Sequence, residues 1–204
     1  MKESGSRSGW KSGFHRREFL KGSGAAAAAT AIGSGVADAA AGSSRLLQGK
    51  TEISLSVNGV DHRVTVEPRD TLLDVLRYQL NLTGAKPVST DGSSGASTVM
   101  VDDKPMTAST LLAIACRGKK IETCEKRSSQ HPDRVCQSIV EHDASQCGFC
   151  TPGFVVAVRA FLRRKPNATS EQVREGLNGN ICRCGTYVNM VDAVTAAVKG
   201  GRNG

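Results

Sequence analysis

Four of the seven cysteines fall in two close pairs, Cys147-Gly148-Phe149-Cys150 and Cys182-Arg183-Cys184, separated by 31 residues. Thiolates are soft, strongly donating ligands, and a C-x2-C or C-x-C turn aims two of them at one point. Two such turns brought together can hold a structural zinc ion, close two disulfides or carry a 2Fe-2S cluster. Spacing alone leaves all three open. Cys116, Cys124 and Cys136 are separated by seven and eleven residues and match no ligand pattern. They read as small buried apolar residues, with a Cys116–Cys124 disulfide after export as the alternative. Glu141, His142 and Asp143 are consecutive on a helix and point in different directions, so they read as a solvated helix end. No catalytic base or nucleophile is assigned to this chain.

The elements that must position the two turns follow from periodicity. The interval between them reads as two helices, one carrying Phe154, Val155, Val158, Phe161 and Leu162, the other starting at a Thr169-x-x-Gln172 capping box and stopping at Asn178-Gly179. Val135, Ile139 and Val140 mark a helix before them, and Val188, Val191, Val194 and Val198 one after. Each is too short to be stable alone, so the four must form a bundle docked on the first half. That half begins with alternating Ile53, Leu55 and Val57, an Asn58-Gly59 turn, and Val60, Val64 and Val66, a hairpin signature. Asp70 is placed to cap a helix carrying Leu72, Leu73, Val75, Leu76 and Leu80, closed by Thr83-Gly84. A Gly/Ser-rich loop from Val88 to Ser97 leads to a strand at Thr98–Val101, a turn at Asp102-Asp103, a short helix over Leu111–Ile114 and a strand near Ile121. The fold class is α+β.

Composition bounds the rest. With 204 residues, 22 Gly, five Phe, two Tyr and one Trp, the chain has room for a modest core in one or two small domains, not for a large independent enzyme. The net charge of +8 is carried without a Lys/Arg block or interleaved aromatics, which argues against nucleic acid as a partner. His15-Arg16-Arg17-Glu18-Phe19-Leu20-Lys21, then an Ala/Gly-rich apolar stretch and Ala37-Asp38-Ala39, read as a twin-arginine signal peptide over residues 1–39, with a linker at 40–50. No integral membrane segment is expected in the mature chain, because that weakly apolar stretch is its nearest approach to the roughly 20 residues a span needs. This export route resembles that of proteins that load a cofactor before crossing into the periplasm. A metal cluster fits.

Gln146-Cys147-Gly148-Phe149-Cys150-Thr151-Pro152-Gly153 and Asn180-Ile181-Cys182-Arg183-Cys184-Gly185-Thr186-Tyr187 resemble the signatures of the small iron–sulfur subunit of the molybdenum hydroxylases, the xanthine dehydrogenase, aldehyde oxidase and isoquinoline oxidoreductase family. The likeness runs from about Thr51 to Val198 and decides among the three readings. It implies an N-terminal β-grasp, ferredoxin-like domain over 51–126 and a C-terminal four-helix 2Fe-2S domain over 127–200. By resemblance Cys147, Cys150, Cys182 and Cys184 ligate the cluster nearer a molybdopterin, which sits on a large partner subunit where hydroxylation of an aldehyde or N-heterocycle takes place. Gln146 and Cys184 match the residues that touch the pterin, a helix-terminus cap being the alternative for Gln146. Arg183 and Tyr187 fall at the partner surface, with ordinary packing the role expected of Tyr187. Thr151-Pro152-Gly153 reads as a first helical turn whose free N–H groups face the sulfurs and raise the cluster's potential.

The chain departs from the family where a second, plant-type cluster should sit. Its four ligand positions fall at Ser89, Ser94, Ser97 and Ser109, at the x4, x2 and x11 intervals bacterial members use. Hard, weakly acidic hydroxyls suit iron–sulfide chemistry poorly. The second cluster is therefore expected to be absent, with Gly92 and Gly95 keeping the loop's shape. The expected cofactor set is one 2Fe-2S cluster on this chain and molybdopterin on the partner, with cytochrome c or a flavin subunit taking the electrons. The competing reading is a non-redox adaptor stapled by zinc or disulfides.

Overall fold

The computed structural model describes residues 49–126 and 133–200, so the signal segment and most of the joint after it lie outside the described residues. Strands β1 (Thr51–Val57), β2 (Val60–Val66), β3 (Thr98–Val101), β4 (Lys104–Thr107) and β5 (Lys120–Glu122) form a five-stranded sheet in the order β2-β1-β5-β3-β4. Asn58 and Gly59, both at positive φ, turn β1 into β2 in a tight register that ends on Val57↔Val60. Asp102 and Asp103 do the same between β3 and β4. β5 lies parallel to β1 and antiparallel to β3, so the last strand closes the gap between two hairpins. β4 has no counterpart in the periodicity reading. Three of its four residues are exposed and it carries Pro105, which belongs on an edge strand and erases the alternating signal.

A short helix, α1 (Leu72–Asp74), runs on as a π-turn over Val75–Gln79 and buries Leu72, Leu73, Val75 and Leu76 against the sheet. Its cap is Thr71, not Asp70. Thr71 has an acidic residue three positions on, and the reciprocal bonds Asp74 N to Thr71 Oγ1 (3.1 Å) and Thr71 N to Asp74 Oδ2 (3.3 Å) complete a capping box. Asp70 instead accepts from Glu67 N at 2.8 Å. The helical run stops at Leu80, before Thr83-Gly84, because Asn81 takes a left-handed φ of 55°.

The helical half comprises α2 (Arg134–Glu141), α3 (Thr151–Arg164), α4 (Ser170–Gly176) and α5 (Tyr187–Gly200). The Thr169–Gln172 capping box forms as the sequence requires. Phe154, Val158, Phe161, Val173, Met190 and Val194 make its core. Val140 and Val188 fall outside that core, 75% and 72% exposed, because each sits at the end of its helix where the apolar stripe has rotated off the seam.

β3 is buried on both faces, one against the sheet core and the other against Val156 and Ala160 of α3, which meet Met100. Arg163 ties the same helix to Asp103 (3.0 Å) and Glu122 (2.7 Å). The sheet half and the helical half thus pack as one compact α+β unit. At Gly176 two effects oppose each other. Alanine there gains about 1 kcal/mol of helix propensity, but its Cβ runs into the buried Phe161 ring, and such overpacking costs about 1–3 kcal/mol. Gly176→Ala is expected to destabilise the chain, read as a lower midpoint in urea denaturation.

Candidate metal centre

The two cysteine turns meet where α3 and α5 begin. Cys150 is the N-cap of α3 and has no side-chain cap of its own, and the C-x-C turn leads through Thr186 into α5. Gly148 and Gly185 sit at φ 78° and 79°, a backbone conformation that L side chains rarely adopt, and each lets its turn fold back beside a cysteine. The thiols come together pairwise: Cys147 hydrogen-bonds with Cys184, and Cys150 with Cys182. Among the described residues no group of three or more His, Cys, Asp or Glu side chains converges to hold a metal ion. Cys147 and Cys184 lie exposed, Cys150 is half-buried and Cys182 is 5% exposed.

Backbone donors surround the sulfurs. The Phe149 N–H and the bond to Cys184 hold the Cys147 thiol below its ordinary value. Burial pushes Cys182 up, but the Thr186 hydroxyl at 3.2 Å and the N–H groups of Thr186 and Cys184 outweigh it and bring the thiol down to about 7. Cys150 goes the other way, pushed up to about 12 by burial and by its bond to Cys182. The Cys147 N–H holds Cys184 down, but the bond to the Cys147 thiol, burial and the Cys147 and Cys182 charges together raise it. These donors come from within the two turns, whereas the sequence placed them in the first turn of α3.

The serine positions lie in an equivalent arrangement on the adjoining loop. Ser89 and Ser94 are hydrogen-bonded at 2.8 Å, Ser97 and Ser109 at 3.0 Å. Backbone N–H groups of Ser94 and Ser109 donate to Ser89 and Ser97 respectively. Every one of the four hydroxyls therefore has a partner among the other three serines, Ser109 reaching back to Ser97 from beyond β4.

This serine loop grips the C-x-C turn directly. Ile181 N donates to Ser94 O at 2.9 Å, and Asn180 Nδ2 donates to Gly95 O at 2.9 Å. On the other side Gly153, in the first turn of α3, lies so close to Gly95 O that a Cβ there would sit 2.5 Å from it. Lys86, just before the serine loop, lies 5.7 Å over the exposed Phe149 ring of the C-x2-C turn. Asn180 is a positioning residue that no local signal in the sequence marks, because its partner lies 85 residues away. Tyr187 also does more than pack: its hydroxyl accepts the Cys182 N–H at 2.8 Å. Gln146 is exposed beside Cys147 and does not cap α3, while Arg183 is exposed between the two cysteines of its turn.

Residues 121–195 match the 2Fe-2S binding domain family, and residues 13–33 match the twin-arginine translocation pathway signal sequence. The chain is 38% identical over 148 residues to the small subunit of nicotine 6-hydroxylase of Paenarthrobacter nicotinovorans, covering 72% of this chain and 90% of the relative. It is 35% identical to the small FeS subunit of nicotinate dehydrogenase of Eubacterium barkeri, covering 74% and 96%. The chain belongs to the small iron–sulfur subunits of the molybdenum hydroxylases. The crystal structure of quinoline 2-oxidoreductase from Pseudomonas putida 86 superposes with a TM-score of 0.72 at 36% identity, over 76% of this chain and 98% of that one. The chain carries a 2Fe-2S binding domain and, separately, a signal for twin-arginine export, and as a member of the family it is the iron–sulfur subunit of an oxidoreductase. A zinc- or disulfide-stapled adaptor is not favoured. Among the described residues no helix is long and apolar enough to cross a membrane.

Removing the Asn180 donor leaves the C-x-C turn held by Ile181 and Tyr187. Asn180→Ala is expected to cost about 1–3 kcal/mol, the range for breaking a buried hydrogen bond. Amide exchange at Ile181 and Cys182 should rise with it, and unchanged protection there would show that the Gly95 contact does not hold the turn.

Proposed function

We propose that Cys147, Cys150, Cys182 and Cys184 hold a single 2Fe-2S cluster, and that this chain passes electrons away from a molybdopterin centre on a large partner subunit. The observation that carries the reading is the pairing of the thiols two by two, Cys147 with Cys184 and Cys150 with Cys182. A two-iron unit takes two thiolates at each iron, and soft sulfur donors suit it. When bound, such a cluster supplies a one-electron relay. This chain's residues favour the anion at two of the sulfurs and hold the turn in place: the Phe149 N–H lowers Cys147, the Thr186 and Cys184 N–H groups lower Cys182, and Tyr187 and Asn180 fix the C-x-C backbone. Donors of this kind raise a cluster's potential.

Gln146 and Cys184 contact the pterin in this reading, since both are exposed at the mouth of the turns. Phe149, Ile181, Tyr187 and Val188 are exposed around them and supply an apolar surface on which the large subunit docks. The sheet half, residues 51–126, is a β-grasp scaffold without a cluster, and residues 127–200 form the cluster domain. Hydroxyl pairs at Ser89–Ser94 and Ser97–Ser109 support that assignment, because each oxygen is already satisfied and is too hard for iron sulfide. Electrons then leave from the helical half to a cytochrome c or a flavin subunit in the periplasm. The class of substrate is an aldehyde or an N-heterocycle, a reading supported for the N-heterocycle by the similarity to the nicotine and nicotinate enzymes.

Iron and acid-labile sulfide are each expected at about two per chain, with one reduced cluster signal in electron paramagnetic resonance after substrate reduction of the complex. Two signals would sink the single-cluster assignment. Cys182→Ser is expected to remove the visible absorption of the cluster; full retention of that absorption would overturn the ligand set. The combined change Ser89→Cys, Ser94→Cys, Ser97→Cys and Ser109→Cys should raise the iron content to about four per chain. An iron content unchanged by those four substitutions would mean the loop does not keep a cluster-ready shape.

A further inference from the structure

Two Asn-Gly pairs lie at turns among the described residues, Asn58-Gly59 between β1 and β2 and Asn178-Gly179 after α4. In such a pair the glycine nitrogen, with no side chain to shield it, can attack the preceding side-chain amide. The reaction needs that amide free to rotate and open to water. Asn58 meets neither condition. Its amide is half-buried and held at both ends by Thr123: Nδ2 donates to Thr123 Oγ1 at 3.0 Å, and Oδ1 accepts from Thr123 N at 2.9 Å. Asn178 meets both. It is exposed, and among the described residues neither its side-chain amide nor the Gly179 N–H has a hydrogen-bond partner. The turn that carries them is closed by Asn180 N donating to Leu177 O at 3.1 Å, which leaves both reacting groups outside the bond.

We propose that Asn178 is a site of spontaneous deamidation to isoaspartate and aspartate, and that the isoaspartate form loosens the C-x-C turn. The Gly179 nitrogen bonds to Asn178 Cγ and gives up its proton, the Cγ–Nδ2 bond breaks, and the amide nitrogen leaves with that proton as ammonia. Water then opens the cyclic imide. Opening at the backbone carbonyl of residue 178 leaves the chain running through Cγ as isoaspartate, and opening at Cγ leaves aspartate. No oxidant or cofactor takes part. Isoaspartate lengthens the main chain by one carbon just ahead of Asn180. The Asn180 Nδ2 bond to Gly95 O and the Ile181 N bond to Ser94 O, both 2.9 Å, lie immediately downstream, so the added atom displaces the two ties that hold the turn before Cys182.

The test is a peptide map of the full chain as isolated, with the subunits that accompany it, followed through incubation in mildly alkaline buffer. A deamidated peptide is heavier by the difference between a hydroxyl and an amino group, and isoaspartate is scored separately by enzymatic methylation of its carboxyl group. The Asn178 peptide is expected to convert first. Asn58 should be slower by on the order of thirtyfold, the factor for releasing two hydrogen bonds before attack. Equal rates at the two sites, faster conversion at Asn58, or an Asn178 that stays intact overturns the proposal. Gly179→Ala keeps Asn178 but sets a methyl beside the attacking nitrogen. Position 179 has no left-handed φ and nothing within 4 Å of an added Cβ, so the variant is accommodated, and conversion at Asn178 should be lost on the same timescale. Amide exchange at Ile181 and Cys182 should rise in the aged parent chain and not in Gly179→Ala aged beside it; equal exchange in the two overturns the loosening of the turn.

Discussion

The carbonyl of Gly95 accepts from the Thr98 N–H, the Thr98 hydroxyl and the Asn180 side chain, while Gly153 at the start of α3 packs against its other side. This one acceptor fastens the serine loop to both cysteine-bearing turns. A side chain at position 95 would meet Gly179 O and the Asn180 amide, and the φ of 66° already excludes most residues. The geometry of the two cysteine turns therefore depends on a backbone group in the other half of the molecule. A buried carbonyl that lost these partners would carry a desolvation cost with nothing to offset it.

The same constraint gives the serine loop a reason to keep its form. It holds two hydroxyl pairs beside two thiol pairs, in the same pairwise arrangement but with opposite chemistry. The hydroxyls bond to one another and to backbone N–H groups, so the loop is complete as it stands. Two of the thiols, Cys147 and Cys182, have N–H donors directed at them from Phe149, Thr186 and Cys184 that favour anionic sulfur. In the function proposed above, iron–sulfide binding follows the second environment and not the first. The loop's remaining contribution is mechanical, through Ser94 O and Gly95 O, which hold the residues just before Cys182.

The seam between the halves has a second anchor far from the sulfurs. Arg163 reaches Asp103 and Glu122, Arg159 reaches Asp133 and the carbonyls of Thr123 and Cys124, and Met100 packs between Val156 and Ala160. α3 thus carries the cysteine turn at one end and the ion pairs toward the other. Rigid attachment along the whole helix suits a subunit that must hold its sulfurs at a fixed place relative to a docking surface.

Much of this was legible along the chain. The capping box at Thr169, the Asn58-Gly59 hairpin, the helical stripes and the two cysteine pairs are local signals, each set by residues a few positions apart, and the α+β class follows from them. Where two local signals compete, the more complete one forms: Thr71 with Asp74 makes the reciprocal capping box, and Asp70 is left to accept from Glu67. The thiol chemistry and the hydroxyl substitutions were also fixed by residue type alone. Tertiary structure decided which sulfur pairs with which, that Asn180 meets a carbonyl 85 residues away, and that Tyr187 caps Cys182. Such contacts depend on how two cores pack against each other, and no periodicity within a single segment encodes that distance.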